Sequence, residues 1–445
     1  MSYLSIAKHL SSGNRKKKQL HAQQIISEKK YLCDILDSKF NKTIMTNLKL
    51  WLKENLKGDP VMWVVVFLLS LMSILVVYSA TGTLAYKKMQ GDTEYYLLRH
   101  SFLVFLCFVA MWLAHQVDYR YYSKLSRFAL ILSVPLLIYA YFFGTSINEA
   151  SRWITIPLIN QSFQPSDLAK LALIANLASM LSKRQQRITD VRDSLIPMLI
   201  WCGIICGLIA LTNYSTAVLL FCTCMLLMFI GRVPARYILI LILIGVVAGS
   251  IALAVGQRGS TVISRMKRYL FPSEVPFQLE QSYIAIATGG LEGKGPGNSV
   301  QRNFLPHPYS DFIYSVIVEE YGMFGAILVL LLYLVLLYRG MRVVARSEKA
   351  FGGLLSAGIS FSLVIQAMVN IGVAVGLLPI TGQPLPLLSM GGTSLLFTGL
   401  SFGIIISVSR GEIDETVDTI IRGNTNTVKK PTFNLSESGE SVIKS

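Results

Sequence analysis

Charge is scarce in this 445-residue chain. Only 15% of its residues are Asp, Glu, Lys or Arg, whereas soluble globular proteins carry about 25%. With 53% hydrophobic residues and a mean hydropathy of +0.52, this scarcity argues against an ordinary cytosolic enzyme. The 41 Lys and Arg against 25 Asp and Glu give a net charge of +16. In a chain this apolar, the excess of positive charge favours a membrane surface over nucleic acid as its counterpart.

Metal-ligand clusters, disulfide frameworks and repeats are also missing. Of the six cysteines, all but Cys33 lie inside apolar stretches without partnering His or Asp residues, and the five histidines are scattered. We therefore interpret the cysteines as core residues and expect no metal site. No internal repeat is visible. The pattern of a signal peptide is not met either, because the first apolar run is too long and too far from the N-terminus.

Long apolar runs dominate instead. Ten stretches approach the roughly 17 to 25 residues that a membrane helix requires. They cover about 61–80, 98–117, 127–143, 168–182, 195–212, 215–230, 237–255, 312–338, 353–376 and 393–409. The third, fourth and sixth stretches are short, so the number of spans could differ from ten by one. The sequence predicts an all-α polytopic membrane protein with about ten transmembrane helices.

The basic residues of the short loops predict the orientation. One set of alternate loops holds Arg120, Lys124, Arg127, Lys183, Arg184, Arg187, Arg192, Arg232, Arg236, Arg339, Arg342, Arg346 and Lys349, and the opposite set holds Lys87, Lys88 and Arg152. This asymmetry places both termini in the cytoplasm. The long loop 256–311, between spans seven and eight, then faces outward.

The two ends flank a membrane domain of residues 61–409. Residues 1–60 form a polar cytoplasmic arm containing Arg15-Lys16-Lys17-Lys18, which we expect to be drawn to anionic lipid. Alternatively, Met45 is the native start and residues 1–44 derive from an upstream reading. The tail 410–445 is rich in Thr, Asn, Ser and Gly and is predicted to be disordered.

Acidic residues mark the start of span eight. An ionisable group at membrane depth costs at least about 2.5 to 3.5 kcal/mol, so such groups are candidates for function. At 100° per residue, Ser315 and Glu319 lie about 40° and 80° around a helix from Asp311, which predicts one polar stripe, with Glu320 pointing elsewhere. The structural alternative for Asp311 is an N-cap. His307 lies just upstream of this stripe.

A second polar group precedes span four. Pro165 and Ser166 are typical of a helix start, and Asp167 with Lys170 has the spacing of a local ion pair. Lys170 falls within the apolar run, where an ammonium requires an anion or a water-filled cavity. Upstream, Arg152 stands beside an interfacial tryptophan.

A glycine-rich segment, 288–300, lies in the long outer loop. Its glycines could let backbone N–H groups converge on an anion, and Lys294, Asn298, Ser299 and Arg302 lie in or beside it. No Gly-Lys-Ser/Thr follows a strand, which excludes a nucleotide P-loop. A flexible surface turn is the alternative. Upstream, residues 258–270 predict a short amphipathic helix on the outer leaflet, which either steers an anionic head group or anchors the loop.

Four blocks together resemble the SEDS family of polytopic cell-wall proteins, FtsW, RodA and SpoVE. They are Ser151-Arg152-Trp153 with Gln164-Pro165-Ser166-Asp167-Leu168-Ala169-Lys170; Gly289-Gly290-Leu291 to Gly297-Asn298-Ser299-Val300-Gln301; Phe304-Leu305-Pro306 to Ser310-Asp311-Phe312-Ile313 with Glu319-Glu320-Tyr321-Gly322; and Thr381-Gly382-Gln383-Pro384-Leu385-Pro386 with Ser389-Met390-Gly391-Gly392-Thr393-Ser394. There are departures: Asn213 stands where the family often has Asp, so an essential carboxylate is not expected there, and Met390 replaces a common Tyr.

The resemblance implies a peptidoglycan glycosyltransferase that polymerises lipid II on the outer face of the cytoplasmic membrane, with a class B penicillin-binding protein as transpeptidase partner. It implies that Asp311 is catalytic. We expect Asp311 to accept a proton from the sugar hydroxyl of the acceptor, and Arg152 and Lys170 to hold the pyrophosphate. Lys294, Asn298, Ser299, Arg302 and His307 are expected to assist binding, with Glu319 and Glu320 shaping the site. No cofactor is required, and a divalent cation stays open.

Alternatives remain within and outside the family. A lipid II flippase would also use intramembrane charges and a central cavity, although the charges cluster towards the outer ends of the spans. A division scaffold without chemistry is a third hypothesis. Within the family, the extended cytoplasmic ends and the 381–394 block favour an FtsW-like role at the division septum, beside other division proteins, over RodA-like elongation.

Overall fold

The computed structural model describes residues 55–82, 84, 93–147, 150–156, 161–188, 190–255, 259–271, 275–347 and 349–427. For strand residues 145–152, including Arg152, the description is of the backbone alone. The contacts divide the chain into Met1–Lys57 and Gly58–Ser445, and the fold below is that of the second unit. Most of the predicted N-terminal arm, with Met45, and the tail beyond Thr427 lie outside the described residues.

Twelve helices and three strands make up the described part of this unit. The helices are α1 Pro60–Ala80, α2 Thr93–Gln116, α3 Tyr119–Phe143, α4 Pro165–Lys183, α5 Ile196–Thr212, α6 Tyr214–Ile230, α7 Ala235–Val255, α8 Gly259–Leu270, α9 Phe277–Gly289, α10 Ile313–Arg346, α11 Ala350–Ala374 and α12 Thr393–Thr427. The strands are β1 Thr145–Ile147, β2 Ala150–Ile156 and β3 Gln161–Phe163. Each of the ten predicted apolar stretches is helical, which confirms the predicted fold class.

Eight of the described helices are long and apolar enough to cross a membrane, and Tyr214–Ile230 is a shorter apolar helix. The remaining predicted span, the fourth, is α4, which has 19 residues and carries Asp167 and Lys170. Along α7, large apolar side chains such as Leu239, Leu243 and Ile251 stay exposed, as expected of a helix that faces hydrocarbon. The chain is therefore a multi-pass membrane protein.

Helix starts follow from local chemistry. Asp59 caps α1, where its side chain accepts a hydrogen bond of 2.9 Å from the backbone N–H of Val61, and Pro60 occupies the first helical position. Pro165 begins α4 in the same way, as predicted. At the other end of the chain, α12 continues to Thr427, so residues 410–427 are helical where a disordered tail was predicted.

Helices α2 and α12 lie unusually close together. A Cβ at Gly399 or Gly403 would overlap the backbone carbonyl oxygen of Cys107 or Met111 respectively. Small residues let membrane helices approach closely, and van der Waals packing then replaces the hydrophobic drive that lipid cannot supply. The core also contains α10 and α11, whose facing side chains are largely buried.

Two loops that are predicted to face outward contain regular structure in their described residues. β1, β2 and β3 form a three-stranded antiparallel sheet between α3 and α4. The predicted amphipathic helix exists as α8, with Ile263, Met266 and Leu270 exposed beside Lys267 and Arg268. Tyr269 donates a hydrogen bond of 2.8 Å to the carbonyl oxygen of Leu377, which ties α8 to the segment that follows α11.

Candidate functional site

A cavity of about 600 Å³ lies at the end of the bundle that the basic loops predict to face outward. It is walled by α4, the start of α6, α11, the turn before α10 and the 380–394 segment. Its polar lining includes Arg99, Gln164, Asp167, Lys170, Asn213, Thr216, Arg265, Gln278, His307, Ser310, Asp311, Gln366 and Gln383, beside apolar residues such as Trp153 and Phe397. Charged and apolar walls in one chamber suit an amphipathic ligand.

Asp311 lies in the turn that precedes α10 and lines this cavity. The helix begins at Ile313 with Phe312 as its N-cap residue, so Asp311 does not cap it. Ser310 Oγ donates a hydrogen bond of 2.9 Å to Asp311 Oδ1. The other oxygen, Oδ2, faces Gly382, where an added Cβ would lie 3.4 Å from it. A side chain at position 382 would therefore contact this oxygen, and glycine leaves it uncovered from that direction.

The turn that carries Asp311 is fastened to distant parts of the chain. The amide of Asn370, on α11, donates to the backbone oxygen of Asp311 at 2.9 Å and to that of Gln383 at 2.7 Å. Ser389 Oγ donates to the backbone oxygen of Ser310 at 2.7 Å. Since Asn370 is only 1% exposed, these bonds are shielded from water and hold the carboxylate's backbone in one place.

Tyr309 adds a neutral hydroxyl beside this carboxylate. Burial raises the pKa of Tyr309, and the neighbouring Tyr96 and Asp311 raise it further by charge repulsion. Its backbone oxygen accepts a hydrogen bond of 2.9 Å from the N–H of Met390. The phenol therefore stays protonated near neutral pH and contributes no competing anion.

Asp167 and Lys170 form the predicted ion pair on α4. Lys170 Nζ lies 2.8 Å from Asp167 Oδ1, with the two side chains 20% and 6% exposed. Asp167 Oδ2 is buried and has no hydrogen-bond partner among the described residues. Both residues line the cavity that contains Asp311, so the prediction that a cation and the candidate base face one chamber is met by Lys170.

The structure adds cavity residues that the sequence reasoning did not select as site residues. Arg265, on α8, lines the chamber and donates a hydrogen bond of 3.1 Å to the carbonyl oxygen of Ile380. Gln383 donates to Thr216 Oγ1 at 2.8 Å, and Gln366 donates to the carbonyl oxygen of Pro384 at 2.9 Å. A glutamine inside an apolar run, as at Gln366, was the available signal for these residues.

Two further predicted residues lie near the same chamber. His307 lines it. Arg152 belongs to β2, whose residue Trp153 also lines it, but the Arg152 side chain lies outside the described part of the chain. Asn213 lines the cavity as well and caps α6, accepting a hydrogen bond of 3.5 Å from the N–H of Thr216.

The glycine-rich segment is folded onto α10. That helix is interrupted at Gly322, which has φ 64° and ψ −163°. The backbone N–H groups of Lys294 and Gly295 donate to the carbonyl oxygens of Glu319 and Glu320, each at 2.9 Å. A Cβ at Gly322 would overlap the carbonyl oxygen of Leu291, so only glycine fits the crossing. The segment is neither a loose turn nor an open anion site.

Glu319 and Glu320 point into this segment. Lys294 Nζ lies 2.6 Å from Glu319 Oε1, and Ser299 Oγ donates to Glu319 Oε2 at 2.5 Å. Arg302 Nη1 lies 4.0 Å from Glu320 Oε1. Arg302 also donates to the backbone oxygen of Ser79, at the end of α1, at 2.9 Å.

These contacts correct the predicted site. The polar stripe shared by Asp311, Ser315 and Glu319 is wrong, because the chain is not helical at Asp311 and Ser315 contacts Ser282 Oγ at 2.5 Å. Six predicted binding residues are absent from the described cavity lining: Lys294, Asn298, Ser299, Arg302, Glu319 and Glu320. Asn298 is exposed and its amide donates to the carbonyl oxygen of Lys294 at 3.0 Å. Their geometry supports a role in holding the long loop before α10.

No three His, Cys, Asp or Glu side chains within the described ranges converge as a metal site. The carboxylates that line the cavity, Asp167 and Asp311, are the oxygen ligands that a divalent cation in the chamber would meet.

Comparison with known proteins identifies the family. Residues 59–413 match the model of the FtsW/RodA/SpoVE family, described as cell cycle proteins. The chain belongs to this family. Among its FtsW/RodA/SpoVE relatives, the probable peptidoglycan glycosyltransferase FtsW of Geobacter metallireducens is 34% identical over 368 residues, covering 82% of this chain and 97% of the relative. The stage V sporulation protein E of Bacillus subtilis is 34% identical over 363 residues, covering 79% and 97%.

Solved structures of the FtsW/RodA/SpoVE fold agree with the described architecture. One, from a study of polymerization and crosslinking by a peptidoglycan synthase complex, matches with a TM-score of 0.61 and 27% identity, covering 80% of this chain and 98% of that one. The Rod shape determining protein RodA of Thermus thermophilus matches with a TM-score of 0.58 and 26% identity, covering 80% and 97%. These comparisons confirm the family that the four sequence blocks predicted.

Proposed function

We propose that this chain is a peptidoglycan glycosyltransferase that polymerises lipid II into glycan strands at the outer face of the cytoplasmic membrane, for wall synthesis in cell division. Its family membership and the glycosyltransferase names of its FtsW relatives support this activity. The observation that carries the mechanism is that Asp311 and Lys170 line one chamber, at the end of the bundle predicted to face outward.

Asp311 is the proposed general base. Lipid II is a disaccharide-peptide on undecaprenyl pyrophosphate, and chain growth requires a sugar hydroxyl to attack the anomeric carbon of the donor. A carboxylate that takes the proton of that hydroxyl accelerates such a step by about 10² to 10⁴. One oxygen of Asp311 is oriented by Ser310, and the other faces the space beside Gly382. This geometry suits a base with one oxygen held and one available.

Lys170 and Arg265 are the proposed ligands of the pyrophosphate. Negative charge builds on the leaving diphosphate, and fixed cations in a partly enclosed chamber stabilise it more than they would in water. Asp167 holds Lys170 at 2.8 Å, and the carbonyl oxygen of Ile380 holds Arg265 at 3.1 Å. Arg152 remains a proposed third cation, because its strand borders the chamber through Trp153.

The proposed partner is a class B penicillin-binding protein acting as transpeptidase, and the proposed location is the division septum among other division proteins. Support for a partner comes from the match to a chain in a peptidoglycan synthase complex. Both termini are proposed to be cytoplasmic. Curated relatives of this chain carry the name FtsW, which supports a role in division over one in elongation.

The test is lipid II polymerisation by the purified full-length chain, with and without the cognate transpeptidase, compared between the native chain and Asp311→Asn. We expect glycan strands from the native chain and at least about a 10²-fold lower rate from the variant. Glu292→Gln, a change of the same kind at an exposed loop residue, is the matched control and should polymerise normally.

Three results would refute the proposal. Normal polymerisation by Asp311→Asn would show that Asp311 is not the general base. In proteoliposomes loaded with lipid II, a change in the sidedness of the lipid without glycan strands would identify a flippase instead. Full function of Asp311→Asn in dividing cells would identify a scaffold.

A further inference from the structure

The glycine-rich segment and the residues that follow it already bind an anion. That anion is the side chain of Glu319 in α10. Its Oε1 lies 2.6 Å from Lys294 Nζ and accepts a 3.1 Å hydrogen bond from the N–H of Val300. Its Oε2 accepts from Ser299 Oγ at 2.5 Å and from the N–H of Gln301 at 3.2 Å. Four donors therefore converge on one carboxylate, two on each oxygen.

Burial makes this carboxylate dependent on those donors. Glu319 is 0% exposed, and a buried charge is tolerated only where an opposite charge and hydrogen bonds replace the lost water. One donor, Lys294, is charged, and the other three come from consecutive residues, 299–301. The converging backbone N–H groups form an anion-binding concavity, and Glu319 occupies it from within the chain.

This contact fixes the residues that lead to Asp311. Gln301 begins a 3₁₀ turn, Gln301–Asn303, and the N–H of Leu305 donates to the carbonyl oxygen of Gln301 at 3.1 Å. Leu305 is buried in a small apolar cluster with Phe312 and Val373. Phe312 adjoins Asp311 in sequence. A covalent and packed path of a few residues thus connects the Glu319 carboxylate to the candidate base.

We propose that Glu319 is a positioning residue: by gathering residues 299–301 around its carboxylate, it sets the turn that presents Asp311 to the chamber. Glu319 itself does not touch substrate. The proposal rests on the proposed function for the role of Asp311. The displacement of a catalytic group by about 1 Å can lower a rate about 10²-fold, so a distant carboxylate can control the rate through position alone.

The first measurement needs no activity. In the full-length chain, hydrogen exchange at the backbone amides of residues 300 and 301 should be slow, since both donate to Glu319. Glu319→Gln removes the charge at nearly constant volume, and we expect exchange at these amides to become at least tenfold faster. Glu292→Gln, the same change at an exposed position of the same segment, should leave exchange unchanged.

The second measurement separates positioning from general damage. For Glu319→Gln, we expect kcat per folded molecule to fall about tenfold with KM within twofold of the native value, because the chamber keeps its cations while the base is displaced. Loss of folded protein alone would lower the active fraction and leave kcat per folded molecule unchanged.

Ser299→Ala keeps the proposal testable if Glu319→Gln does not fold. This variant retains the ion pair of Glu319 with Lys294 and removes one neutral donor of the four, so we expect a smaller change in the same direction, about threefold in exchange and in kcat. Unchanged exchange at residues 300 and 301 in the folded variants would overturn the proposal. Faster exchange with unchanged kcat would equally overturn the link to Asp311. If the native chain makes no glycan, the proposed function fails, and exchange still decides whether Glu319 holds the segment.

Discussion

Lys170 and Asp167 pair at 2.8 Å in the first turns of α4, and the second carboxylate oxygen of Asp167 is buried without a hydrogen-bond partner in the described chain. One buried anion thus holds one cation at the wall of the chamber, while part of its own hydrogen-bonding capacity stays unused.

Lys170→Gln should both destabilise the protein and weaken substrate use. Removing the cation leaves Asp167, which is 6% exposed, as an unpaired buried charge. We expect this to lower the free energy of unfolding by about 3 kcal/mol. KM for lipid II should rise about tenfold, the equivalent of one lost ionic contact. Thermal unfolding and polymerisation kinetics measure the two effects.

The double variant Asp167→Asn with Lys170→Gln separates these effects. It removes the unpaired charge, so the melting temperature should return towards the native value while KM stays raised. A KM that recovers together with stability would assign Lys170 a structural role.

Asn370→Ala should lower the rate with little change in substrate affinity. The Asn370 amide bonds the backbone oxygens of Asp311 and Gln383 at 2.9 and 2.7 Å, so the variant leaves two shielded carbonyl groups unpaired, at about 1 to 3 kcal/mol. We expect kcat to fall about tenfold, since the turn that carries Asp311 loosens. The control is Asn176→Ala, where the amide donates to the sulfur of Met180 at 3.4 Å. A native rate for Asn370→Ala would contradict this account of the turn.

Gly322→Ala should destabilise the protein more than Gly297→Ala. Both glycines have positive φ, 64° and 81°, so alanine introduces backbone strain at each, of about 1 to 3 kcal/mol. Gly322 also has ψ −163°, a combination that is essentially limited to glycine. At Gly322 the new Cβ would in addition overlap the carbonyl oxygen of Leu291, whereas at Gly297 nothing lies within 4 Å. The difference in melting temperature measures the combined cost of this backbone conformation and the close crossing. Equal melting temperatures would show that the segment can move away from α10.

The predicted orientation is tested by labelling cysteines from outside intact cells. In a cysteine-free background, Glu292→Cys places a thiol in the loop predicted to face outward, and Lys183→Cys places one in a loop predicted to be cytoplasmic; both positions are exposed. A membrane-impermeant maleimide should label the first at once and the second only after permeabilisation. The reverse pattern would invert the topology.

Sequence patterns predicted most of the helices and part of the site. The apolar runs predicted ten of the twelve α-helices, and the spacing of Asp167 and Lys170 predicted their pair, because both depend on residues close in sequence. The helix Phe277–Gly289 and the three strands were not predicted. The angle count from Asp311 to Glu319 was wrong for a local reason. The helix starts two residues after Asp311, at Ile313, and the rule of 100° per residue applies only within a helix.

Other parts of the site depend on residues far apart in the chain. The contact of Gln383 with Thr216 joins residues separated by 167 positions, and that of Arg302 with Ser79 joins residues separated by 223. Nothing in a single sequence states which helix ends meet. The glycine-rich segment shows how far a single sequence can be interpreted. Its pattern indicated an anion site, but only the fold identified the anion as Glu319.

The sequence by itself determined that this protein spans the membrane and which side its long loop is predicted to face. It also identified Asp311 and Lys170 as ionisable groups close to apolar spans, where an unpaired charge is costly. Those conclusions follow from hydropathy and from the free energy of placing charge in hydrocarbon, which are properties of short segments. Tertiary structure alone decided which carboxylates face the chamber and which one is used to hold a loop. That choice depends on which donors the packing of distant helices brings within hydrogen-bonding distance, about 2.5 to 3.2 Å between donor and acceptor atoms.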